Sequence, residues 1–511
     1  MGLEQIPPKE GQMKRRNSFK RYEEARITSA SQRVKSNGRR TFLLFIFLLS
    51  FYFGKAQQSN TFYFMNAVPQ TSDLNPAFSI PCNYIGLPLI SSFHFDVGNT
   101  GFSYNQVFPK EGDGRIIDFD YLERRLHNLD LMNAQLQFDI FSLGMWYEDY
   151  FLTFKITEHA DFLVSYPKNL FLVPWKGNRQ YVGETAEIQR FGGDFSYYRE
   201  FALSASGWVN GDLRLGVRAG LLFGKMNLST RREELAIHTR EDNYHLDASG
   251  SYRVNSTLPL DITEDATGNI SEIRLRDDIP IRNVLFNGRN PGFNLDLGGI
   301  YTGLEEFILY AGLNDLGMMY WTSELNNLEV EQQFRFEGLT PDDLQEDDYP
   351  QLMLDSLEDS YETTFLEEPY MTLLPLKSYI GATHQLTQRI RAGVLQRNLF
   401  YKWRIYPSLT FSLNADIQDF FSVSAAYSYN RYSFSNFGVG FSLQSRRVQF
   451  YMVTDNLRAI NPLDVRNVNL RFGLNLFFGC GDQRRRDTGI SFPGCFWIRQ
   501  QLDNEKILPQ K

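Results

Sequence analysis

The sequence predicts an all-β fold: a transmembrane antiparallel β-barrel of about 14 strands. Three observations predict it. From residue 93 to residue 478 the apolar residues recur with period 2, and helical periodicity is scarce. The two strand faces are unlike, one rich in aromatic and aliphatic side chains, the other in Gly, Ser, Asn and Arg. Short and long connections alternate along the chain, as they do in barrels with short turns at one rim and longer loops at the other.

Composition agrees. Mean hydropathy is −0.35, which excludes a bundle of transmembrane helices. Aromatic residues make up 15 % of the 511 residues, with 43 Phe and 27 Tyr against 6 Trp. The one long apolar run, Thr41 to Phe53, has 13 residues. As a helix it reaches about 20 Å, short of the roughly 30 Å hydrocarbon core. Arg39 and Arg40 precede it and Gly54-Lys55-Ala56 follows it, so it reads as a secretory signal cleaved after Ala56. Residues 1–40 carry 11 Lys/Arg and read as an over-long leading segment, so that 1–56 is an extended n-region and signal peptide. That stretch holds 12 basic and 4 acidic residues, and its removal moves the net charge from −8 to −16. So acidic a surface repels nucleic acid, which is excluded as a partner.

Residues 57–92 are rich in Pro, Asn and Ser and lack strand alternation, as a periplasmic or plug segment would. The barrel is expected over 93–478, with strands near 93–104, 134–147, 150–158, 191–207, 211–224, 293–303, 305–316, 377–386, 389–400, 404–414, 419–429, 434–443, 447–456 and 467–478. The last is the clearest: Leu470, Phe472, Leu474, Leu476 and Phe478 share one face, and Arg471, Gly473 and Asn475 the other. In 211–224, Leu213, Leu215, Val217, Ala219, Leu221 and Phe223 oppose Asp212, Arg214, Gly216, Arg218 and Gly220. Strands of about ten residues fit a tilted bilayer crossing. Tight turns fall at Asn210-Gly211, Gly303 to Glu306, Thr387-Gln388, Asp416 to Asp419 and Ser445-Arg446, and are assigned to the periplasm. An even strand count leaves both ends of the barrel there too.

Two excursions interrupt the wall. Residues 225–292 hold alternating stretches at 226–240 and 243–255, read as a hairpin projecting beyond the membrane. Within 317–376 lies an acidic segment, 337–368, with 12 Asp/Glu and no Lys/Arg. It is read as a solvated loop, the alternative being a divalent-cation bridge to lipopolysaccharide. Residues 479–511 form a periplasmic C-terminal tail, in which Cys480 and Cys495 are spaced to close a disulfide loop.

Candidate lumen charges are Arg214, Arg218, Arg391 and Arg471, with Asp296 among the acids that face them. Two readings stay open, a polar pathway that attracts carboxylates and a network of ion pairs filling a closed barrel. No HExxH, GxSxG or cysteine–histidine metal spacing occurs, so the sequence assigns no catalytic, metal or cofactor residue and no cofactor. The only enzymatic candidate is His384, near a strand end, as part of a serine–histidine pair on the outer wall of a lipid-acting barrel; the expected answer is no enzyme.

Residues Asn75-Pro76-Ala77 are similar to the N-terminal signature of FadL-type hydrophobic-compound transporters. With Phe78 they also look like the entry of the PorP/SprF barrels of type IX secretion. The stretches FYFMNAVPQ…LNPAF, VRAGLLFGKMNLST, NPGFNLDLGGIY and VTDNLRAINPLDVRNVNLRFGLNLFFG more closely resemble an uncharacterised Gram-negative outer-membrane barrel family. The resemblance implies a FadL-like barrel in the cell outer membrane, a plug and a lateral route for hydrophobic ligands. It implies outer-membrane lipid and lipopolysaccharide as surroundings. It supplies no substrate, and the acidic segment and the Cys-bearing tail depart from the FadL pattern. The expected function is a passive transporter or channel for small, hydrophobic molecules. The alternatives are a non-transporting scaffold with an envelope protein partner and, third, the lipid enzyme.

Overall fold

The computed structural model describes residues 60–480 except 113, 177–180, 189, 243–244, 265–269, 277–287, 305, 337–360, 403, 419 and 431–432. The expected leader 1–56, most of the tail, Cys495 and most of the acidic segment lie outside the described residues.

Fourteen wall strands form one closed antiparallel ring. They are β1 (two pieces, Asn83–Gly86 and Phe93–Asn99), β2 (Leu129–Tyr147), β3 (Tyr150–Pro167), β4 (Gly192–Trp208), β5 (Leu213–Thr239), β6 (Asn290–Tyr301), β7 (Phe307–Trp321), β8 (Tyr370–Leu373 and Leu376–Gln385), β9 (Ile390–Tyr401), β10 (Arg404–Gln418), β11 (Phe421–Asn430), β12 (Ser433–Gln444), β13 (Val448–Thr454) and β14 (Asn467–Phe478). Each pairs with its neighbour in sequence, and β14 closes on β1 through Asn83↔Phe478 and Phe93↔Phe472. Closure leaves no strand edge unpaired, the condition for a sheet that crosses lipid.

The alternation reads out directly as burial. In β5, Arg214, Gly216, Arg218, Gly220 and Leu222 are buried in the lumen while Leu215, Val217 and Leu221 face outward, Leu221 being 62 % exposed. Leu203, Leu297, Leu316, Ile380, Leu413 and Phe437 continue this exposed apolar belt around the ring. A belt of that extent is stable against lipid, not against water.

The excursions are partly one sheet. Beyond the belt β5 runs on to Thr239 and pairs with Leu246–Ser256, which pairs with Asn327–Phe336, which pairs with Tyr361–Leu366. The stretches read separately at 225–292 and 317–376 therefore share a ladder that prolongs the wall at the long-loop rim.

Strand β1 is interrupted. Between its pieces Pro88, Leu89 and Ile90 bulge outward, and Leu89 takes a left-handed φ of 65°. The neighbours keep hydrogen bonds across the gap: Leu89 N to Asp139 O (2.9 Å) and Leu474 N to Ile90 O (2.9 Å). β2 carries a register shift between Asp139 and Phe141 at the same level.

The cysteine expectation is corrected. Cys480 is bonded to Cys82, Cα–Cα 4.3 Å, and not to Cys495. The β1–β14 register decides this, because Asn83 faces Phe478 and the residues just beyond that pair converge. Sequence spacing carried no information about a partner 398 residues away. Peptide mapping without reductant is expected to recover the Cys82–Cys480 link. Removal of a native disulfide commonly costs about 2–5 kcal/mol, so reduction, or Cys82→Ser, is expected to lower the temperature at which the barrel unfolds on semi-native gels. Equal unfolding temperatures with and without reductant would show that the bond does not strain against opening of the seam.

Candidate lumen site

Residues 60–80 lie inside the ring, and almost every one is buried. Two single-turn helices, Phe62–Phe64 and Pro69–Asp73, compact the segment. Phe62, Tyr63, Phe64, Val68, Ala77 and Phe78 pack with Ile300, Tyr310, Tyr379, Leu395 and Tyr451 of the wall. Its polar groups are also met by the wall. Asp455 accepts from the backbone N–H of Asn60 (3.1 Å) and Thr61 (2.8 Å), and Gln70 exchanges hydrogen bonds with Asn475 (2.6 and 2.9 Å). Gln449 donates to Ala67 O (2.8 Å). The first strand piece, Asn83–Gly86, which falls within 57–92, belongs to the wall instead.

Asn75-Pro76-Ala77 sits on a glycine pair. Gly216 of β5 and Gly298 of β6 are register partners. A Cβ at Gly216 would stand 2.2 Å from Pro76 C, and one at Gly298 2.1 Å from Asn75 Oδ1. Asn75 Nδ2 donates to Tyr63 OH (3.1 Å) and Ala311 O (3.1 Å), while Oδ1 accepts from Ala77 N (3.0 Å). The signature residues thus seat the inner segment against the wall.

The segment carries one charge, Asp73. Three wall cations surround it: Lys155 of β3 (2.6 Å), Arg218 of β5 (3.3 Å) and Arg471 of β14 (3.8 Å). Lys155 also meets Asp139 (3.1 Å), and Arg218 pairs with Asp296 and lies 4.0 Å from Glu200. Glu200 in turn takes His159 Nε2 (2.9 Å) and Asn294 Nδ2 (2.9 Å). All these charges are nearly solvent-free, so the mutual pairing is what makes their burial tolerable.

The structure therefore brings Arg218, Asp296 and Arg471 together around Asp73 and leaves two sequence candidates elsewhere. Arg214 donates to Ser206 (3.1 Å) between the rings of Trp146 and Trp208. Arg391 pairs with Asp416 (3.4 Å) near the short-turn rim. His384 also lies at that rim, its Nδ1 beside Glu306 O (2.8 Å) and its ring against Phe307. Sequence reasoning missed Asp73, Lys155, Asp139 and Glu200. A lysine and a glutamate in mid-strand were the available signal for Lys155 and Glu200.

Beside Asp73 a cavity of about 70 Å³ opens, lined by polar side chains from nine wall strands, among them His94, Gln137, Asp161, Asp315, Lys377 and Arg397. It offers a ligand charge and hydrogen bonds together with an apolar side from Leu74, Phe162, Leu163, Leu374 and Leu399.

The profile of a family of unknown function, DUF5723, matches residues 76–455. No curated protein matches. Among solved structures, a FadL homologue of Pseudomonas aeruginosa is similar at 11 % identity, with 83 % of this chain and 99 % of that chain covered and a TM-score of 0.37. The toluene transporter TbuX of Ralstonia pickettii is similar at 9 % identity, with 80 % and 94 % covered and a TM-score of 0.38. The toluene transporter TodX of P. putida is similar at 9 % identity, with 79 % and 91 % covered and a TM-score of 0.33.

Proposed function

The chain belongs to DUF5723, a family of unknown function, and we propose from its own geometry that it is an outer-membrane barrel through which small molecules pass passively. One observation carries the reading. The lumen holds a separate chain segment, residues 60–80, that bears one charge, with a cavity lined by charged side chains beside it. A barrel of about eight strands fills its lumen with wall side chains, whereas a larger ring leaves space that a separate segment can occupy. One closed by a separate segment opens when that segment shifts. The apolar belt supports placement in a bilayer, and the alternation of short turns and long loops supports short turns on the periplasmic side.

The cavity favours polar solutes for the lumen. A second reading, passage of hydrophobic molecules sideways through the wall, is favoured by the interruption of β1, where Leu89 and Ile90 face outward. Behind them Ser91, Ser92 and Asp139 are buried, so an apolar solute taking that way meets a polar inner face.

Liposomes holding the purified barrel test the proposal. Solutes of amino-acid size are expected to enter faster than into empty liposomes, and a small hydrocarbon to show no such excess. Excess entry of the hydrocarbon alone would favour the lateral reading. No excess for either would overturn transport and favour the scaffold.

A further inference from the structure

The cavity beside Asp73 carries charge of both signs: Asp161 (β3) and Asp315 (β7) line it together with Arg218 (β5), Arg397 (β9) and Arg471 (β14), and Lys377 (β8) is held to Asp315 at 2.7 Å. Arg471, Lys377, Arg397 and His159 lie near enough to His94 for their charges to bear on its ring. Asp161 and Asp315 bear in the same way on His159 and Lys377.

Two buried groups on opposite strands are left with unused hydrogen-bonding capacity. β7 and β14 are seven strands apart in a ring of fourteen, so they face each other across the lumen. On β7, Asn314 is 2 % exposed; its Nδ2 donates to Asp73 O (2.6 Å), and its Oδ1 has no partner among the described residues. On β14, Arg471 is also 2 % exposed; its Nη2 donates to Gln137 (3.4 Å), its Nη1 stands 3.8 Å from Asp73 Oδ2, beyond hydrogen-bond reach, and its Nε makes no hydrogen bond among the described residues. Buried polar atoms without partners are costly and call for an occupant. An acceptor beside the acids wants a donor. Donors beside the arginines want an acceptor. The two ends lie close, because Asp73 meets both: its carbonyl takes Asn314, and its carboxylate stands 3.8 Å from Arg471.

We propose that this cavity binds a small zwitterion, an α-amino acid with a short side chain, with its carboxylate toward Arg471 and Arg397 and its ammonium toward Asn314, Asp161 and Asp315. Size agrees. A buried water needs about 10–15 Å³ on this measure, so 70 Å³ holds five to seven waters or a solute of about six heavy atoms. Glycine and alanine fit, and an acyl chain does not. The proposal rests on the reading of the lumen as a solute pathway and names the solute class.

The test is binding, measured apart from flux. Calorimetric titration of the purified, detergent-solubilised full chain with alanine is compared with propionate and ethylamine, each carrying one of its charges. Alanine is expected to bind at least about tenfold tighter than either, since each loses one set of charge-assisted bonds. Arg397→Gln is expected to weaken alanine and propionate and spare ethylamine; Asp161→Asn is expected to weaken alanine and ethylamine and spare propionate. Neither residue touches Asp73 in the ion pairs described, so the seating of the inner segment is retained. Equal affinity for propionate and alanine would overturn the proposal in favour of an anion site. No binding of alanine while the liposome assay shows flux would overturn it and leave transport standing.

Discussion

Asp73→Asn is expected to convert the barrel from rarely open to mostly open. The substitution keeps the size of the side chain and removes the only charge on residues 60–80. Lys155, Arg218 and Arg471 then face one another across the vacated charge, Lys155 with Asp139 and Arg218 with Asp296 as their remaining partners. Taking one member from a buried ion pair costs about 3–5 kcal/mol. At 1.4 kcal/mol per factor of ten, the seated state loses about two to three and a half orders of magnitude against an unseated one. The anchors that precede Asp73, Asp455 on Asn60 and Thr61 and the Gln70–Asn475 pair, are neutral-donor bonds of lower worth. In planar bilayers wild-type protein is expected to open rarely and briefly, enough for the slow solute entry of the liposome assay, at voltages where Asp73→Asn shows long openings. A cysteine at Val68, fully buried when the segment is seated, is expected to react with a maleimide far faster in the variant. Asp73→Glu, which keeps the charge, is expected to restore most of the closure. If Asp73→Asn opens no more than wild type and Val68→Cys reacts no faster in a barrel that still migrates as folded, the charge knot is not what holds the segment.

The strand count was legible because period 2 holds over long stretches of the wall on either side of its bulges. Leu470 to Phe478 shows it, and so do the strands on either side of both excursions. The first strand was not legible in full. Asn83–Gly86 has four residues between Pro81 and Pro88, too few for alternation to register, and what makes it wall is a backbone ladder to β14 on one side and β2 on the other. The lumen charges were half legible. Alternation placed Arg214, Arg218 and Arg471 inward, but their partners depend on register. Asp296 lies directly across the β5–β6 ladder from Arg218. Arg214, four residues earlier on the same face, meets tryptophan rings instead. Asp73 looked like one polar residue among many in a Pro- and Asn-rich stretch. Its importance comes from three cations brought together by strands 82 to 398 residues further along the chain, and no local pattern encodes that. The disulfide is the same lesson: its spacing pointed to Cys495 and its ladder to Cys82.

Gly216→Ala is expected to unseat the same segment by sterics alone. The added methyl would stand 2.2 Å from Pro76 C, 2.3 Å from Pro76 O and 2.4 Å from Ala77 N, all backbone atoms without a rotamer to escape through. Gly298, its cross-strand partner, holds Asn75 and Ala77 as tightly, so the seat cannot slide toward β6 to make room. Overpacking of this kind costs about 1–3 kcal/mol when neighbours can yield, and here yielding means lifting Asn75 away from Tyr63 and Ala311, at a further loss of about 1 kcal/mol per bond. Openings in planar bilayers and maleimide reaction at Val68→Cys should therefore resemble those of Asp73→Asn. Two controls separate a seating effect from damage to the wall. Gly299→Ala lies one residue from Gly298 on the outward face, where the nearest atom is Leu215 Cδ2 at 3.5 Å, and is expected to leave conductance unchanged. Gly440→Ala points inward, but its closest neighbour is Met65 Sδ, the movable end of a flexible side chain, and is expected to have a small effect. Because Asp73 and Pro76 belong to one seat, the double variant Asp73→Asn with Gly216→Ala is expected to be little more open than either single one, as coupled sites are non-additive. Full additivity would mean that charge and glycine cradle hold two independently moving parts, and the inner segment would then have to be treated as two gates in series.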